Sequence, residues 1–184
     1  SGAREHALVK TLQRDAGVNV ICAPGNSGIA RDCELRSVEA SNGNAVAALA
    51  KEINADLVVI GPEAPLVAGV ADVLREQGFN VFGPSQAASA LEGSKAFAKD
   101  IMQAADVPTA RAQLCTTLDQ VDVALDVFGA PYVVKDDGLA AGKGVVVTNN
   151  RDEARAHADA CISARADGAV VIEEFLDGPE VSLF

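Results

Sequence analysis

No two of the four cysteines, Cys22, Cys33, Cys115 and Cys161, form a C-x-x-C pair, and the chain holds only two histidines, His6 and His157. They are too few and too separated for a zinc site, so buried free thiols of a reducing compartment are expected. Long apolar runs are missing too. Nothing approaches the ~18 residues that a membrane span requires, and the residues show no signal-peptide pattern. Blocks of like charge are absent. The 15 Lys and Arg face 26 Asp and Glu, a formal net charge of −11, which argues against a nucleic-acid partner. A small phosphorylated ligand stays open, because a few lysines and backbone N–H groups make a local positive site in an acidic protein. The expectation is a cytoplasmic protein with neither nucleic acid nor membrane as partner.

What is present is an ordinary globular composition, 184 residues of which 49% are apolar, enough for one generous domain or one domain and part of another. Short β-branched runs alternate with helical spacing. Strands are expected at 19–23, 56–61, 80–83, 113–116, 131–135, 144–148 and 169–174, and helices at 5–14, 44–53, 67–77, 95–105, 118–128 and 151–166. Up to Pro84 the order is strand, helix, strand, helix, strand. The apolar run Leu57-Val58-Val59-Ile60 suits a parallel sheet covered on both faces. The predicted fold is α/β, with a doubly wound parallel sheet first. Ser1-Gly2-Ala3 leads directly into a helical pattern, where such a fold places a turn after its first strand, so a strand is expected upstream of Ser1. The stretch Glu180–Phe184 reads as a strand cut short. Beyond Val107-Pro108-Thr109 lies a smaller α+β unit, and the domain boundary is expected within 91–109.

Three local patterns carry chemistry. In Lys135-Asp-Asp-Gly-Leu-Ala-Ala-Gly-Lys-Gly144, the glycines at 138, 142 and 144 let consecutive N–H groups close on phosphate oxygens, and Lys135 and Lys143 add point charges. It is not a Walker loop, for the residue after Lys143 is Gly144 and the loop leads into a strand, not a helix. A mobile phosphate lid or a plain hairpin turn remain. In Val170–Glu180, Glu173, Phe175-Leu176 and Glu180 are an acceptor, an apolar wall and a carboxylate of the kind a purine nucleoside needs, although acids at a strand end are more often solvated. In Glu92-Gly-Ser-Lys95, a lysine sits in a first helical turn against the macrodipole, which a bound anion would explain. Lys99, one turn later, is expected to face solvent.

Together these patterns resemble the ATP-grasp ligases. Ser1-Gly-Ala-Arg-Glu-His-Ala-Leu8, Ala23-Pro-Gly-Asn26, Gly61-Pro-Glu-Ala-Pro-Leu66, Phe82-Gly-Pro-Ser85, Leu91–Asp100, Asp137–Gly144 and Glu173–Gly178 narrow the resemblance to the phosphoribosylamine–glycine ligases, the glycinamide ribonucleotide synthetases of purine biosynthesis. The resemblance implies a Rossmann-like domain over 1–91 and a partial ATP-grasp domain over 92–184, with its lid at about 110–176 and its C-terminal lobe beyond Phe184. It implies ATP contacts at Lys95, Lys135, Gly138, Gly142, Lys143, Gly144, Glu173, Glu174, Phe175, Leu176 and Glu180. Substrate contacts are implied at Gly2, Arg4, Glu5, His6, Pro24, Gly25, Asn26, Gly61, Pro62 and Glu63.

The implied reaction consumes ATP, with Mg2+ or Mn2+, to join glycine to 5-phosphoribosylamine through a glycyl phosphate, in a monomeric enzyme. No catalytic residue is named, and the metal ligands are expected beyond Phe184, so these residues alone are expected not to make product. One departure from the pattern is Asp136 in place of a small residue; strand alternation turns it away from the face of Lys135, and it is expected to be tolerated. Competing readings are another ATP-grasp ligase, such as a carboxylase of biotin or of an imidazole ribotide, a non-catalytic nucleotide-binding fragment, and a nicotinamide oxidoreductase. The last lacks a G-x-G-x-x-G after a strand.

Overall fold

A computed structural model describes residues 2–139 and 144–183. The chain divides into two compact units, residues 1–90 and 91–184.

In the first unit, α1 (Ala3–Leu12), β1 (Ile21–Cys22), β2 (Glu34–Leu35), α2 (Gly43–Glu52), β3 (Val58–Val59), α3 (Glu63–Val67), α4 (Val70–Glu76) and β4 (Val81–Phe82) follow one another. The expected strands are shorter than their apolar runs, and β2 escaped notice because two residues show no periodicity. The parallel sheet forms as two pairs. Ile21 stands opposite Glu34 in β1–β2, and Val58 opposite Val81 in β3–β4. A cavity of about 570 Å³ is lined by both Ile21-Cys22 and Val58-Val59, with Leu8, Val9 and Leu12 of α1. The helix read over 67–77 is two helices, broken at Gly69, whose φ of +81° favours glycine. Ala47, Ala50, Val70 and Leu74 form the core between α2 and α4. Asn42 caps α2, its side-chain oxygen accepting from the Ala45 amide at 3.1 Å.

After α5 (Gln86–Gly93), the second unit runs α6 (Lys95–Ala104), β5 (Ala112–Cys115), α7 (Leu118–Phe128), β6 (Tyr132–Asp136), β7 (Val145–Thr148), α8 (Arg151–Ser163) and β8 (Val170–Glu173). Here every strand and helix of the expected α+β order forms. The sheet order is β5-β8-β6-β7, antiparallel throughout. Alternation sorts its two faces. Cys115, Val134, Val170 and Ile172 pack with Val121, Ala124 and Leu125 of α7 and Ala154 and Ala158 of α8. The neighbours of those strand residues, Val133, Lys135, Val171 and Glu173, therefore stand on the opposite face. Glu180–Leu183 forms no strand; Val181 and Leu183 are 82% and 97% exposed, and the segment gains no ladder partner among the described residues.

Candidate functional site

The opposite face of the second sheet gathers charge at one point. Register sets Val133 beside Glu173 and Lys135 beside Val171, so Lys135 and Glu173 are diagonal neighbours across β6 and β8. Their side chains meet, with Lys135 Nζ donating to Glu173 Oε2 at 2.7 Å. The Glu173 side chain is only 6% exposed, so its carboxylate needs this cation. Glu173 Oε1 faces a second cation, Lys99 Nζ, at 3.4 Å. Lys99 does not face solvent as expected: its ammonium also donates to Thr109 Oγ1 and the Ala110 carbonyl, each at 2.7 Å. Helical spacing alone could not reveal this, because the acceptors come from the irregular segment after α6 and from β8.

The strand leaving this point becomes the glycine loop, and its stem is held from two sides. Lys95 Nζ donates to the carbonyls of Asp136 at 2.8 Å and Gly138 at 3.0 Å. The Asp137 carboxylate accepts from the Ala96 amide at 2.9 Å and from the Ser94 hydroxyl, satisfying an orphan donor at the start of α6. Asp136 turns to the opposite face, as strand alternation requires, but it is not idle there. Its carboxylate accepts from both Arg165 nitrogens at 3.1 and 2.8 Å, and Arg165 holds it below the usual carboxylate range. The Asp136 amide donates to the Gly144 carbonyl at 2.7 Å and closes the stem. Gly142 and Lys143, the loop's central expectations, lie outside the described residues.

Beyond Glu173 the predicted purine residues separate. The Glu174 carboxylate accepts from the Arg111 amide and side chain at 2.8 and 2.7 Å, and these bonds hold it below the usual range. Its side chain is thus occupied at the β5 edge. Phe175 and Leu176 are exposed apolar residues and Glu180 is exposed.

In the first unit, the start of α1 adjoins the loop after β3. Arg4 donates to Glu63 Oε1 at 2.6 Å and lies 3.5 Å from the Gly61 carbonyl; Arg4 draws the Glu63 carboxyl below its usual range. The Gly2 amide donates to the Glu5 carboxylate. Glu5, Pro24, Gly61 and Pro62 are among the residues that line the cavity. Gly25 has φ +73°, and any side chain there would run into Leu35. Asn26 Oδ1 accepts from the Gly28 and Ile29 amides at 2.8 and 3.0 Å. His6 Nε2 meets Asp32 Oδ2 at 2.6 Å, and Lys10 meets Oδ1 at 2.6 Å. Lys10 and then His6 pull the Asp32 carboxyl down. Asp32 and Arg165 escaped the sequence reading, since nothing in their spacing marks them, and Asp137 was read only as part of the glycine-loop motif; only the fold supplies their partners.

Among the described residues, no three His, Cys, Asp or Glu side chains gather where they could hold a metal ion.

The chain is similar to known proteins along both units. Residues 1–92 match the family profile "Phosphoribosylglycinamide synthetase, N domain", and residues 93–184 match "Phosphoribosylglycinamide synthetase, ATP-grasp (A) domain". A phosphoribosylamine–glycine ligase of Streptomyces coelicolor is 64% identical over 184 residues, all of this chain and 43% of that protein. The crystal structure of a phosphoribosylamine–glycine ligase from Thermotoga maritima superposes with a TM-score of 0.76 at 31% identity, covering 97% of this chain and 43% of that one. A biotin carboxylase domain of Hydrogenobacter thermophilus 2-oxoglutarate carboxylase, solved with MgADP, shares the fold at 17% identity, with a TM-score of 0.75 over 94% of this chain and 42% of that one. The chain thus spans less than half the length of these relatives. With both halves matched in order, the chain belongs to the phosphoribosylglycinamide synthetase family.

Proposed function

We propose that these residues hold ATP for the ligation of glycine to 5-phosphoribosylamine. The observation that carries the nucleotide part is the convergence of Lys95, Lys135 and Glu173 at the stem of the glycine loop. Two ammonium groups there can meet a polyphosphate. A fixed carboxylate beside them can accept a hydrogen bond from a purine amine. Phe175 and Leu176 offer apolar surface for the base, and Glu180 a carboxylate for the ribose. Glu174 would contribute main chain only, its carboxylate being taken by Arg111. Residues 92–184, with a lid at about 110–176, would form the ATP side. Residues 1–91 would receive the sugar phosphate near Gly2, Arg4, Glu5 and His6, beside the Pro24-Gly25-Asn26 and Gly61-Pro62-Glu63 loops.

In the reaction, the glycine carboxylate attacks the γ-phosphorus of ATP and ADP leaves. The amine of phosphoribosylamine then attacks the acyl carbon and phosphate departs, leaving the amide. The part of this chain is to position the nucleotide and to neutralise its charge. A divalent ion, Mg2+ or Mn2+, accompanies ATP in this proposal, and among the described residues no ligand set for it gathers. A cytoplasmic monomer completes the reading.

Calorimetry tests the nucleotide part. MgATP is expected to bind and NAD is not, and Lys135→Ala should weaken ATP by about tenfold or more, equivalent to about 1.4 kcal/mol. Binding of NAD in place of ATP would overturn it. Ribose 5-phosphate, a stable stand-in for the amine, should shift the Gly2, Gly25 and Gly61 amide resonances; shifts confined to other residues would remove the sugar-phosphate assignment.

A further inference from the structure

Glu173 touches two lysines that are not equivalent. Lys99, on α6, is 16% exposed and its ammonium meets three acceptors, Thr109 Oγ1, the Ala110 carbonyl and Glu173 Oε1. Two hydrogen bonds and an ion pair therefore hold it in place. Lys135, on β6, is 29% exposed, and among the described residues Glu173 Oε2 is its one hydrogen-bond partner. It keeps two protons and a path to the surface. One cation is therefore built in, and the other can leave.

From this asymmetry we infer that Lys99 is a positioning residue, the standing counter-ion of Glu173, which lets Lys135 exchange Glu173 for the phosphates of a bound nucleotide. The inference rests on the nucleotide reading above and adds the step by which the site changes partners. If Lys135 moved away with no second cation present, a carboxylate only 6% exposed would stand bare, and desolvation opposes that strongly. With Lys99 in place the carboxylate keeps a cation beside it, and Oε1 stays fixed. Oε2 is released at the moment a purine amine needs an acceptor. Lys99 also ties Glu173 to the 109–110 segment, so the acceptor's position is set by α6 as well as by β8. No covalent bond changes; the exchange moves one ammonium group from one oxyanion to another.

The exchange is visible directly. Side-chain 15N spectra of the whole chain, with Lys99 and Lys135 assigned by substitution, are recorded during titration with MgATP. The Lys135 ammonium signal should move and the Lys99 signal should hold. Movement of Lys99 with Lys135 unchanged would overturn the inference while leaving nucleotide binding intact. Absence of any calorimetric binding by the wild-type chain would defeat the nucleotide reading itself, and the exchange with it. A second arm uses Lys99→Met and Lys99→Arg. Lys99→Met should weaken ATP by about tenfold or more and Lys99→Arg should restore most of it, while in a Glu173→Gln background Lys99→Met should change affinity less than about threefold. Equal losses from Lys99→Met in both backgrounds would mean that Lys99 does not act through Glu173. Should Lys99→Met fail to fold, the spectra of the wild-type chain decide alone.

Discussion

At the scale of single residues, charge placement decides more than charge count. Asp136 and Lys135 are neighbours in sequence, yet one serves the sheet face that packs on α7 and α8 and the other the face that carries Glu173. Asp136 was expected to tolerate replacement, and for ATP it still should: Asp136→Ala is expected to keep nucleotide affinity within about threefold of wild type. Stability is another matter. Its side chain is 12% exposed against 38% for Arg165, between a surface pair and a buried one, so Asp136→Asn should cost roughly 2 kcal/mol at pH 7. Arg165 holds the Asp136 carboxyl below its ordinary 3.8. The stability it contributes is therefore present above that value and lost as pH falls through the lower, folded value. Urea unfolding at pH 7 and near pH 3 should show the Asp136→Asn deficit shrinking in acid; a deficit unchanged with pH would mean the pair is not its source. Cys115 shows the opposite shift. Burial alone pushes its thiol up to about 11, and its side chain is fully enclosed. Iodoacetamide at pH 8 should leave Cys115 unmodified until the chain is unfolded.

At the scale of elements, legibility followed periodicity. Helices 118–128 and 151–166, the latter ending at Ser163, and the four strands of the second unit were readable because their apolar spacing matches a face that is truly buried. Where burial and periodicity part company the reading failed. The spacing of 67–77 runs unbroken through Gly69, but the backbone does not. Glu180–Leu183 looks like a strand, yet an extended apolar run becomes one only when a neighbour offers hydrogen bonds. The candidate site was half legible: Lys95, Lys135 and Glu173 gather at the loop stem, while Lys99 against Glu173, Asp137 against the start of α6 and Arg165 against Asp136 are contacts that only long-range packing supplies. One close approach also escapes any pattern. Gly168 links α8 to β8, and a Cβ there would sit 2.1 Å from the Ile162 carbonyl oxygen and 2.7 Å from its carbon. Backbone cannot step aside as a side chain can, so Gly168→Ala should cost about 3 kcal/mol. At Gly17 the nearest atom to a Cβ is Asp15 Oδ1 at 3.5 Å, and Gly17→Ala should stay within about 0.5 kcal/mol. Thermal melts of the two variants would check the contrast, and equal melting temperatures would refute it.

At the scale of the whole molecule, the two units differ in how completely each fills its own interior. The second unit closes a four-stranded sheet against two helices, with Leu125, Val134 and Ile172 fully buried. The core cluster of the first joins only four fully packed residues, two of them alanines, and its strands form two separate pairs around a cavity of about 570 Å³. Buried apolar area is the main source of stability, and an unfilled cavity forfeits part of it. The first unit should therefore open at lower free energy than the second, and local opening is what native-state hydrogen exchange reads. The Val58 and Ile60 amides donate to Asn80 and Phe82 across the β3–β4 pair. Those of Val134 and Ile172 lie in the two central strands of the larger sheet, where the two residues stand opposite each other in register. Exchange at Val58 and Ile60 should be at least about tenfold faster than at Val134 and Ile172, a difference of about 1.4 kcal/mol. Urea should bring out the same order, with first-unit amides losing protection before the second unit unfolds. Equal protection across all four amides would show instead that the two units open as one cooperative body and that the cavity weakens neither on its own.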